Sequence, residues 1–333
     1  MPYPIQFESR RRSLQRFLKL SCLKIETLWF PLVQEIIKTK FSLAQPLKLT
    51  IDRTQWRYKN VFIISLMHKR SIPLYWQLNK RGSSNMAEHK SLITPIDLLK
   101  DYEIIILGDR EFGSVKLASW LCEKQVKFVL RVKQDRYIQQ ESSDYTRLSE
   151  LGLLPGTSFF FTGVKVTKQQ GFGEFNVAGY WLRKYRGKVE DEGWYLLTNL
   201  GRYSLCNCCS KCSGIEAMFK DCKTGGYNLE KSHANNERLK NLILLIALAY
   251  TCAVLQGQRI KHMGIQKYVG RLTESKRSQR RHSSFWIGLY GQSWVVGMEF
   301  CQEILAELMR IRRNKLPFFQ RGLRAMSLIL GMF

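Results

Sequence analysis

The segment LKLTIDRTQWRYKNVFIISLMHKRSIPLYWQL (residues 47–78) decides the fold of this chain. It contains three runs rich in β-branched and aromatic residues, at 47–52, 60–68 and 72–78. Short polar breaks separate these runs, and the connections are too short to hold a helix. The segment therefore predicts a three-stranded antiparallel meander.

Beyond the meander, helical and strand patterns alternate. The predicted elements are a helix over 85–101 interrupted at Pro95, a buried strand over 103–107, an amphipathic helix over 112–125 and a strand over 127–132. The order β-β-β-α-β-α-β is the core of the ribonuclease H-like fold, an α/β fold with a mixed sheet flanked by helices. Residues 133–200 break the alternation and predict an inserted all-β module, and helices return from about residue 203.

The charge of the chain points to a polyanionic partner. Lys and Arg number 53 against 27 Asp and Glu, a formal net charge of +26. Such an excess favours nucleic acid first and an anionic membrane second. The longest apolar run, residues 242–255, is shorter than the roughly 20 residues that a membrane span needs, so we expect a buried core helix there. No apolar signal segment opens the chain and the nine cysteines are an odd number, which favours reduced thiols in the cytoplasm.

Two aspartates end predicted strands that neighbour each other in such a sheet. Asp52 follows the first strand and Asp109 follows the fourth, in IIILGD. Carboxylate oxygens suit hard cations such as Mg²⁺, and two such ions together can activate an attacking oxygen and stabilise a leaving one. The pair therefore predicts a metal-dependent nuclease site. The alternative is that each aspartate caps a helix or a turn.

Four stretches together carry a resemblance to a known family. They are IDRTQW (51–56), GDREF (108–112), GIEAMFKDCKTGGYNLE (214–230) and RHSSFWIGLYG (281–291). In this order they resemble the DDE transposases of bacterial insertion sequences, over roughly residues 9 to 292. The subgroup they resemble has a β-rich insert and places its third acidic residue in a Tyr-x2-Arg-x3-Glu-x6-Lys motif.

The resemblance implies a set of site residues. Asp52, Asp109 and Glu216 would form the catalytic, metal-binding triad, with Mg²⁺ as cofactor and Mn²⁺ able to substitute. Lys223 lies seven residues after Glu216, where the motif has its lysine, and it would contact DNA; a solvated helix lysine is the alternative. The Tyr and Arg positions of the motif fall on Cys209 and Cys212. If residues 209–223 form one helix, these four positions lie on one stripe of it.

Four cysteines within residues 206–212 raise the alternative of a zinc site. Cys206, Cys209 and Cys212 are spaced i, i+3, i+6, so on a continuous helix the outer two are about 9 Å apart along the axis, too far to share one tetrahedral ion. The other interpretation is that Cys209 and Cys212 replace the Tyr and Arg that would grip DNA. We therefore expect weakened or lost transposition, with strand nicking able to persist.

Further basic residues are candidates for contact with DNA. Arg110 adjoins Asp109, and Arg131 and Lys133 share one face at the end of a strand. The run KRSQRRHSSF (276–285) supplies Lys276, Arg277, Arg280 and Arg281 for phosphate tracking. The alternatives are an ordinary ion pair for Arg110, a solvated sheet edge for the strand residues and a solvated loop for the basic run.

The resemblance also implies the organisation and activity of the chain. We expect a remnant helical DNA-binding region (1–44), the ribonuclease H-like core in two parts (45–132 and 201–258), the β-rich insert (133–200) and a basic, mostly helical C-terminal region (259–333).

The enzyme would cut and join DNA at terminal inverted repeats, by cut-and-paste through hairpin ends, as a homodimer when the two ends are synapsed. Its location would be the bacterial cytoplasm, on the nucleoid and without membrane association. Because few residues precede Asp52, we expect the copy to be truncated at its N-terminus. The alternatives are an inactive DNA-binding remnant that inhibits transposition and a zinc-stapled nucleic-acid protein.

Overall fold

A mixed β-sheet dominates the computed structural model, which describes residues 6–56, 59–68, 70–79, 82, 85–139, 144–167, 173–183, 192–206, 214–223, 225–227, 229–270 and 282–331. These residues form ten strands in one sheet. In chain order the strands are β1 (Leu47–Trp56), β2 (Lys59–Leu66), β3 (Ile72–Asn79), β4 (Ile104–Gly108), β5 (Lys127–Val132), β6 (Tyr137–Gln139), β7 (Thr146–Arg147), β8 (Ser158–Val166), β9 (Glu174–Tyr180) and β10 (Trp194–Thr198).

The first five strands confirm the predicted fold class. Their order in the sheet is β3-β2-β1-β4-β5, in which β1, β2 and β3 pair antiparallel and β4 and β5 run parallel to β1. This is the ribonuclease H-like arrangement. The strands β1 and β4 bury their apolar side chains, and β4 is a continuous apolar run.

The β-rich segment continues this sheet. β10 pairs antiparallel with β5, with Leu197 opposite Leu130, and β9, β8, β6 and β7 follow outward. Strand periodicity indicates where strands lie but not which strand each one pairs with, so the sequence predicted the strands without their attachment. Pairing with β10 satisfies the backbone groups that β5 would otherwise expose as an edge strand.

The described residues also form eleven α-helices. They are α1 (Phe7–Phe17), α2 (Phe30–Lys40), α3 (Met86–Lys90), α4 (Ile93–Leu98), α5 (Val115–Glu123), α6 (Arg202–Cys206), α7 (Gly214–Lys223), α8 (Asn236–His262), α9 (Gln266–Val269), α10 (Ser284–Ile311) and α11 (Leu316–Leu330). A π-helical turn at Ile25–Trp29 leads into α2. The predicted interruption at Pro95 is misplaced, because Pro95 lies in the first turn of α4, where a missing N–H costs little, and the chain breaks at Ser91 and Leu92 instead.

The long apolar helix α8 contains the run predicted to be a core helix. Among the described residues it alone is long and apolar enough to cross a membrane, by length and composition. More than half of its apolar window is buried inside the protein, and Leu244, Tyr250 and Val254 have no exposed surface. Such burial is typical of a core helix of a folded domain.

The chain divides into two compact units. One comprises Met1–Phe219 with Glu230–Asn241, and the other comprises Lys220–Leu229 with Leu242–Phe333. In the first, strands β4, β5, β9 and β10 contribute to a shared apolar cluster that includes Leu107, Val129 and Leu196. In the second, α8, α10 and α11 pack around a separate cluster that includes Ile260, Ile287 and Ile329. The five-part division made from the sequence stays a prediction.

Candidate functional site

The register between β1 and β4 places Asp52 beside Asp109. The last residue pair between these parallel strands is Ile51 with Gly108, and each aspartate is the next residue of its strand or loop. The prediction that Asp52 ends its strand was wrong, because β1 runs on to Trp56 as a hairpin with β2, and Asp52 pairs with Ile63 there. Only the pairing between β1 and β4 ends here, just before Asp52. The two strands part at this point, and both carboxylates lie where they separate.

Neither aspartate behaves as a simple cap. Asp109 precedes a short 3₁₀ turn, Arg110–Phe112, but its side chain makes no capping hydrogen bond to that turn. Asp52 lies inside a strand and accepts a hydrogen bond from the backbone N–H of Arg53 at 2.7 Å. Gly113 ends the 3₁₀ turn so close to β5 that an added Cβ would overlap the carbonyl oxygen of Arg131. The backbone after Asp109 is thus held against β5.

Helix α7 supplies the third predicted carboxylate. Ile215 and Met218 are buried on its inner face, and Glu216 lies between them in sequence with an exposed side chain. Gly214 starts the helix tightly against Ser71, because a Cβ there would come within 2.8 Å of the Ser71 hydroxyl. Burial of Ile215 and Met218 therefore orients Glu216 away from the core. The predicted helical stripe through residues 209 and 212 lies outside the described residues.

Electrostatics link these three acids. The pKa of Asp52 is raised to about 6, first by burial and then by the negative charges of Asp109, Glu216 and Glu111, against the lowering effect of the Arg53 N–H. Burial and like charges both disfavour the ionised form of a carboxyl group. The negative charges of Asp109 and Glu216 therefore both act on Asp52.

Within the ranges that the structure describes, no group of three or more His, Cys, Asp or Glu side chains is close enough to hold a metal ion as it stands. The donor set nevertheless fits a hard divalent cation, since it consists of carboxylate oxygens alone. Such a cation would offset the negative charges that, after burial, raise the pKa of Asp52. The residues present are thus compatible with a divalent metal site.

A buried arginine braces the two aspartate-bearing segments. Arg53 is 8% exposed and its Nε lies 3.0 Å from the carboxylate of Glu88, itself 2% exposed, without the alignment of a hydrogen bond. Its Nη1 pairs with Glu111 and donates to the carbonyl oxygen of Gly82 at 2.7 Å. Arg53 follows Asp52, and Glu111 lies two residues after Asp109. The ion pair therefore ties β1 to the turn after β4.

We expect Arg53→Lys to lower the free energy of unfolding by about 1–3 kcal/mol, because a lysine cannot reach Glu88, Glu111 and Gly82 at once and leaves a buried carboxylate without its partner. Thermal unfolding measures the change. The matched control is Arg11→Lys, since Arg11 pairs with Glu8 at 2.8 Å on an exposed face of α1. We expect that exposed pair to contribute less than about 0.5 kcal/mol. Equal effects of the two variants would contradict a bracing role for Arg53.

The predicted DNA-contact residues near Asp109 are already engaged with protein groups. Arg131 lies 3.6 Å from the Asp109 carboxylate and 3.4 Å from Glu192, and its guanidinium stacks 4.3 Å from the ring centroid of Trp194. Arg110 also pairs with Glu192, as its ion-pair alternative predicted. Lys133 follows β5 and is exposed. Of these basic side chains, Arg131 lies against the site, 17% exposed and beside Asp109.

The remaining predicted site residues are not assembled by the described structure. Lys223 lies partly exposed in the last turn of α7. Cys209, Cys212, Lys276, Arg277, Arg280 and Arg281 lie outside the described residues. The interpretations placed on them, including zinc binding by the cysteines, stay predictions.

Comparison with known proteins identifies the family. Residues 58–252, more than half of the chain, match the family model described as a transposase DDE domain. The chain belongs to this family. The matched range includes Asp109 and Glu216, whereas Asp52 lies just before it.

Solved structures similar to this chain include two at low identity. One is a piggyBac transposase synaptic complex with hairpin DNA, determined by cryo-electron microscopy, with 12% identity and a TM-score of 0.42. The match covers 95% of this chain and 65% of that one, so the chain spans slightly less than two thirds of its length. The other is a Marinitoga piezophila Argonaute with guide RNA and target DNA, with 12% identity, a TM-score of 0.24 and coverage of 61% and 29%. No curated protein matches the chain significantly.

Sequence reasoning missed two acids around this candidate site. Glu88 has the pattern of a helix-start residue three positions after Asn85, whose side chain accepts from its N–H at 2.9 Å. Instead, its carboxylate points inward and pairs with Arg53. Arg53 is distant in sequence, so the local sequence pattern around Glu88 does not reveal this partner. Glu192 stands just before β10 and bridges Arg110 and Arg131. Only the pairing of β10 with β5 brings it there.

Proposed function

We propose that the chain is the transposase of a bacterial insertion sequence that cuts and joins DNA strands at terminal inverted repeats. The observation that carries the proposal is the register of β1 and β4, which sets Asp52 beside Asp109 at the place where the strands part. Membership of the transposase DDE domain family supports this kind of chemistry. Assignment to the subgroup with the Tyr-x2-Arg-x3-Glu-x6-Lys motif rests on the sequence motifs.

Asp52, Asp109 and Glu216 would hold the divalent metal ions that transposase DDE domains generally use, here Mg²⁺ with Mn²⁺ as substitute. Bound Mg²⁺ supplies activation of the attacking oxygen and stabilisation of the leaving oxygen in phosphoryl transfer. Other residues of the chain hold these three carboxylates in position. Arg53 braces the segments that carry the two aspartates, and the inner face of α7 fixes the direction of Glu216.

Arg131 is placed to orient the DNA backbone. Its guanidinium lies between the Asp109 carboxylate and the Trp194 ring, and it is held there by Glu192. A guanidinium presents several donors, so Arg131 is able to keep one acidic partner while it donates to a phosphate oxygen. We assign Arg110, Lys133, Lys223 and the basic residues Lys276, Arg277, Arg280 and Arg281 to the same DNA backbone, as contacts that neutralise phosphates.

The course of the reaction follows from the subgroup. We propose cut-and-paste movement with hairpin ends, by a homodimer that holds both inverted repeats and then engages target DNA. Cys209 and Cys212 weaken the grip on the DNA end, because a thiol offers neither the forked donors of Arg nor the hydroxyl and ring of Tyr. The same two cysteines favour the second candidate function, an inactive DNA-binding remnant that inhibits transposition through mixed assembly.

Nicking of an inverted-repeat duplex taken from the DNA that flanks the gene tests the proposal. We expect slow Mg²⁺-dependent nicking by the parent chain and none by Asp109→Ala. We expect the double variant Cys209→Tyr/Cys212→Arg to nick at least about tenfold faster, through restored phosphate contacts. Cys208→Tyr is the matched control, because it adds a tyrosine to the same cysteine cluster outside the motif, and we expect no acceleration.

The outcomes separate the two candidate functions. If the parent and the double variant both bind the duplex but neither nicks it, the inhibitor function replaces the enzyme. If Cys208→Tyr accelerates nicking as much as the double variant does, the motif assignment of Cys209 and Cys212 fails. Stoichiometric zinc in the purified protein would also overturn the replacement interpretation.

A further inference from the structure

Glu192 lies where two arginines of the candidate site converge. Its carboxylate oxygen Oε1 pairs with Arg110, and the same oxygen lies 3.4 Å from Nη2 of Arg131. Arg131 in turn lies 3.6 Å from the carboxylate of Asp109. Two guanidinium groups that meet at one point repel each other unless an anion lies between them. Glu192 supplies that anion from within the chain.

The pairs that Glu192 makes are not of the kind that stabilises a fold. Arg110 is 37% exposed and Glu192 is 41% exposed, and ion pairs so exposed to solvent contribute little to stability. The pair between Arg53 and Glu88 is the contrast within the same site, because both of its side chains are buried. An exposed acid that holds two arginines beside Asp109 therefore points to a role in binding.

The backbone next to Glu192 is fixed, so the side chain is the part that is able to move. Gly193 packs so closely on Leu153 that an added Cβ would lie 2.5 Å from the Leu153 side chain. Trp194 begins β10 and pairs with Tyr180 of β9. Rotation about the side-chain bonds of Glu192 is enough to withdraw its carboxylate from both arginines, and no strand has to shift.

We infer that Glu192 competes with DNA for Arg110 and Arg131, as a carboxylate that occupies the place of a DNA phosphate. A phosphate, like a carboxylate, offers oxygens that guanidinium groups bind through charge-assisted hydrogen bonds. When a phosphate enters the site, the Glu192 side chain leaves, both arginines donate to the phosphate, and Arg131 keeps its contact with Asp109. This inference rests on the DNA contacts proposed above for the two arginines.

The consequence is a lower affinity for DNA at the carboxylates than the charge of the chain alone would give. A chain with a net charge of +26 attracts DNA of any sequence. At the candidate site, however, a duplex must displace Glu192 before its backbone reaches Arg131 and Asp109. The displacement uses part of the binding free energy, so Glu192 acts as an autoinhibitory contact.

Binding of a labelled inverted-repeat duplex, measured by fluorescence anisotropy without divalent metal, tests the inference. At about 0.1 M salt we expect Glu192→Gln to bind the duplex at least about fivefold more tightly than the parent, with an unchanged Tm. Glu103→Gln is the matched control, because it removes the same charge from a similarly exposed pair, the one with Lys127. Glu103 stands at the other end of β4, about 20 Å from Asp109 by strand rise and beyond the roughly 10 Å over which charges act at this salt. We expect no gain from it.

The double variant Arg110→Gln/Arg131→Gln separates competition for the arginines from simple repulsion of the duplex. In that background we expect Glu192→Gln to change the affinity by less than about twofold, because the two effects are coupled. An equal gain in both backgrounds, or a gain that Glu103→Gln matches, would overturn the inference. A parent that binds the duplex as tightly as Glu192→Gln does would overturn it as well, and would leave the proposed function standing. If neither the parent nor any variant binds the duplex, the inference and the proposed function fail together.

Discussion

Asp52→Asn is expected to stabilise the metal-free protein while it abolishes nicking. Burial first, and then the charges of Asp109, Glu216 and Glu111, raise the pKa of Asp52 from its ordinary value to about 6. An aspartate whose pKa is higher in the folded state than in the unfolded state costs stability in its charged form. The cost is fully present above the folded pKa and disappears below the unfolded one. Asparagine keeps the shape and removes the charge.

The gain at neutral pH is at most about 3 kcal/mol, because a folded-state pKa of about 6 lies roughly 2 above the ordinary aspartate value. For a chain of this size it corresponds to a Tm higher by roughly 5 °C. The gain should shrink as the pH falls through 6 and vanish near pH 4, because the parent carboxyl is then protonated as well. Asp135→Asn, in the exposed turn after β5, is the control and should leave Tm unchanged. In the same preparations Asp52→Asn should reduce Mg²⁺-dependent nicking by at least about 1,000-fold.

A loss of stability in Asp52→Asn at neutral pH would contradict the electrostatic account of the site. It would show that other groups stabilise the charged Asp52 carboxylate in the metal-free protein. One such group is the backbone N–H of Arg53, which donates a hydrogen bond to it. Retained nicking would remove Asp52 from the catalytic residues, whatever its effect on Tm.

Gly257→Ala and Gly288→Ala are expected to disrupt the unit that holds α10. The two glycines face each other where α8 and α10 cross with their backbones in contact. A Cβ at Gly257 would overlap the carbonyl of Ser284, and one at Gly288 would overlap the carbonyl of Ala253. Each Cβ would also lie within 3 Å of the backbone nitrogen of the other glycine. Backbone atoms cannot rotate away as a side chain can, so the helices would have to separate.

We expect each of these substitutions to cost at least about 3 kcal/mol, at the upper end of what overpacking costs, with a corresponding fall in Tm. Gly322→Ala is the matched control in α11. No atom lies within 4 Å of its added Cβ, so alanine should be neutral or gain up to about 1 kcal/mol from helix propensity. Similar effects at Gly257 and Gly322 would show that the close crossing is not a constraint on the fold.

The core strands could be predicted because their signal is local. β4 is a continuous run of Ile and Leu that ends in Gly-Asp, and the meander alternates apolar runs with polar breaks. A parallel sheet covered on both faces requires such runs, so their order was enough to indicate the fold class and to set Asp52 near Asp109.

The features that sequence reasoning missed depend on distant partners. The predicted strand ended at Asp52, just before the charged residue Arg53. The strand continues because Glu88 and Glu111 neutralise the arginine where it is buried. The attachment of β10 to β5, and with it the position of Glu192, is likewise set by a pairing between segments more than 60 residues apart. Local periodicity carries no information about either.

Divalent-metal binding by the chain tests the central claim most directly. Isothermal titration with Mn²⁺ should be carried out on the parent and on Asp52→Ala, Asp109→Ala, Glu216→Ala and Glu111→Gln. If Asp52, Asp109 and Glu216 form one site, the parent binds Mn²⁺ and each of the three alanine variants weakens that binding at least about tenfold, whereas Glu111→Gln retains it. Unchanged binding by Glu216→Ala or Asp109→Ala would contradict the account.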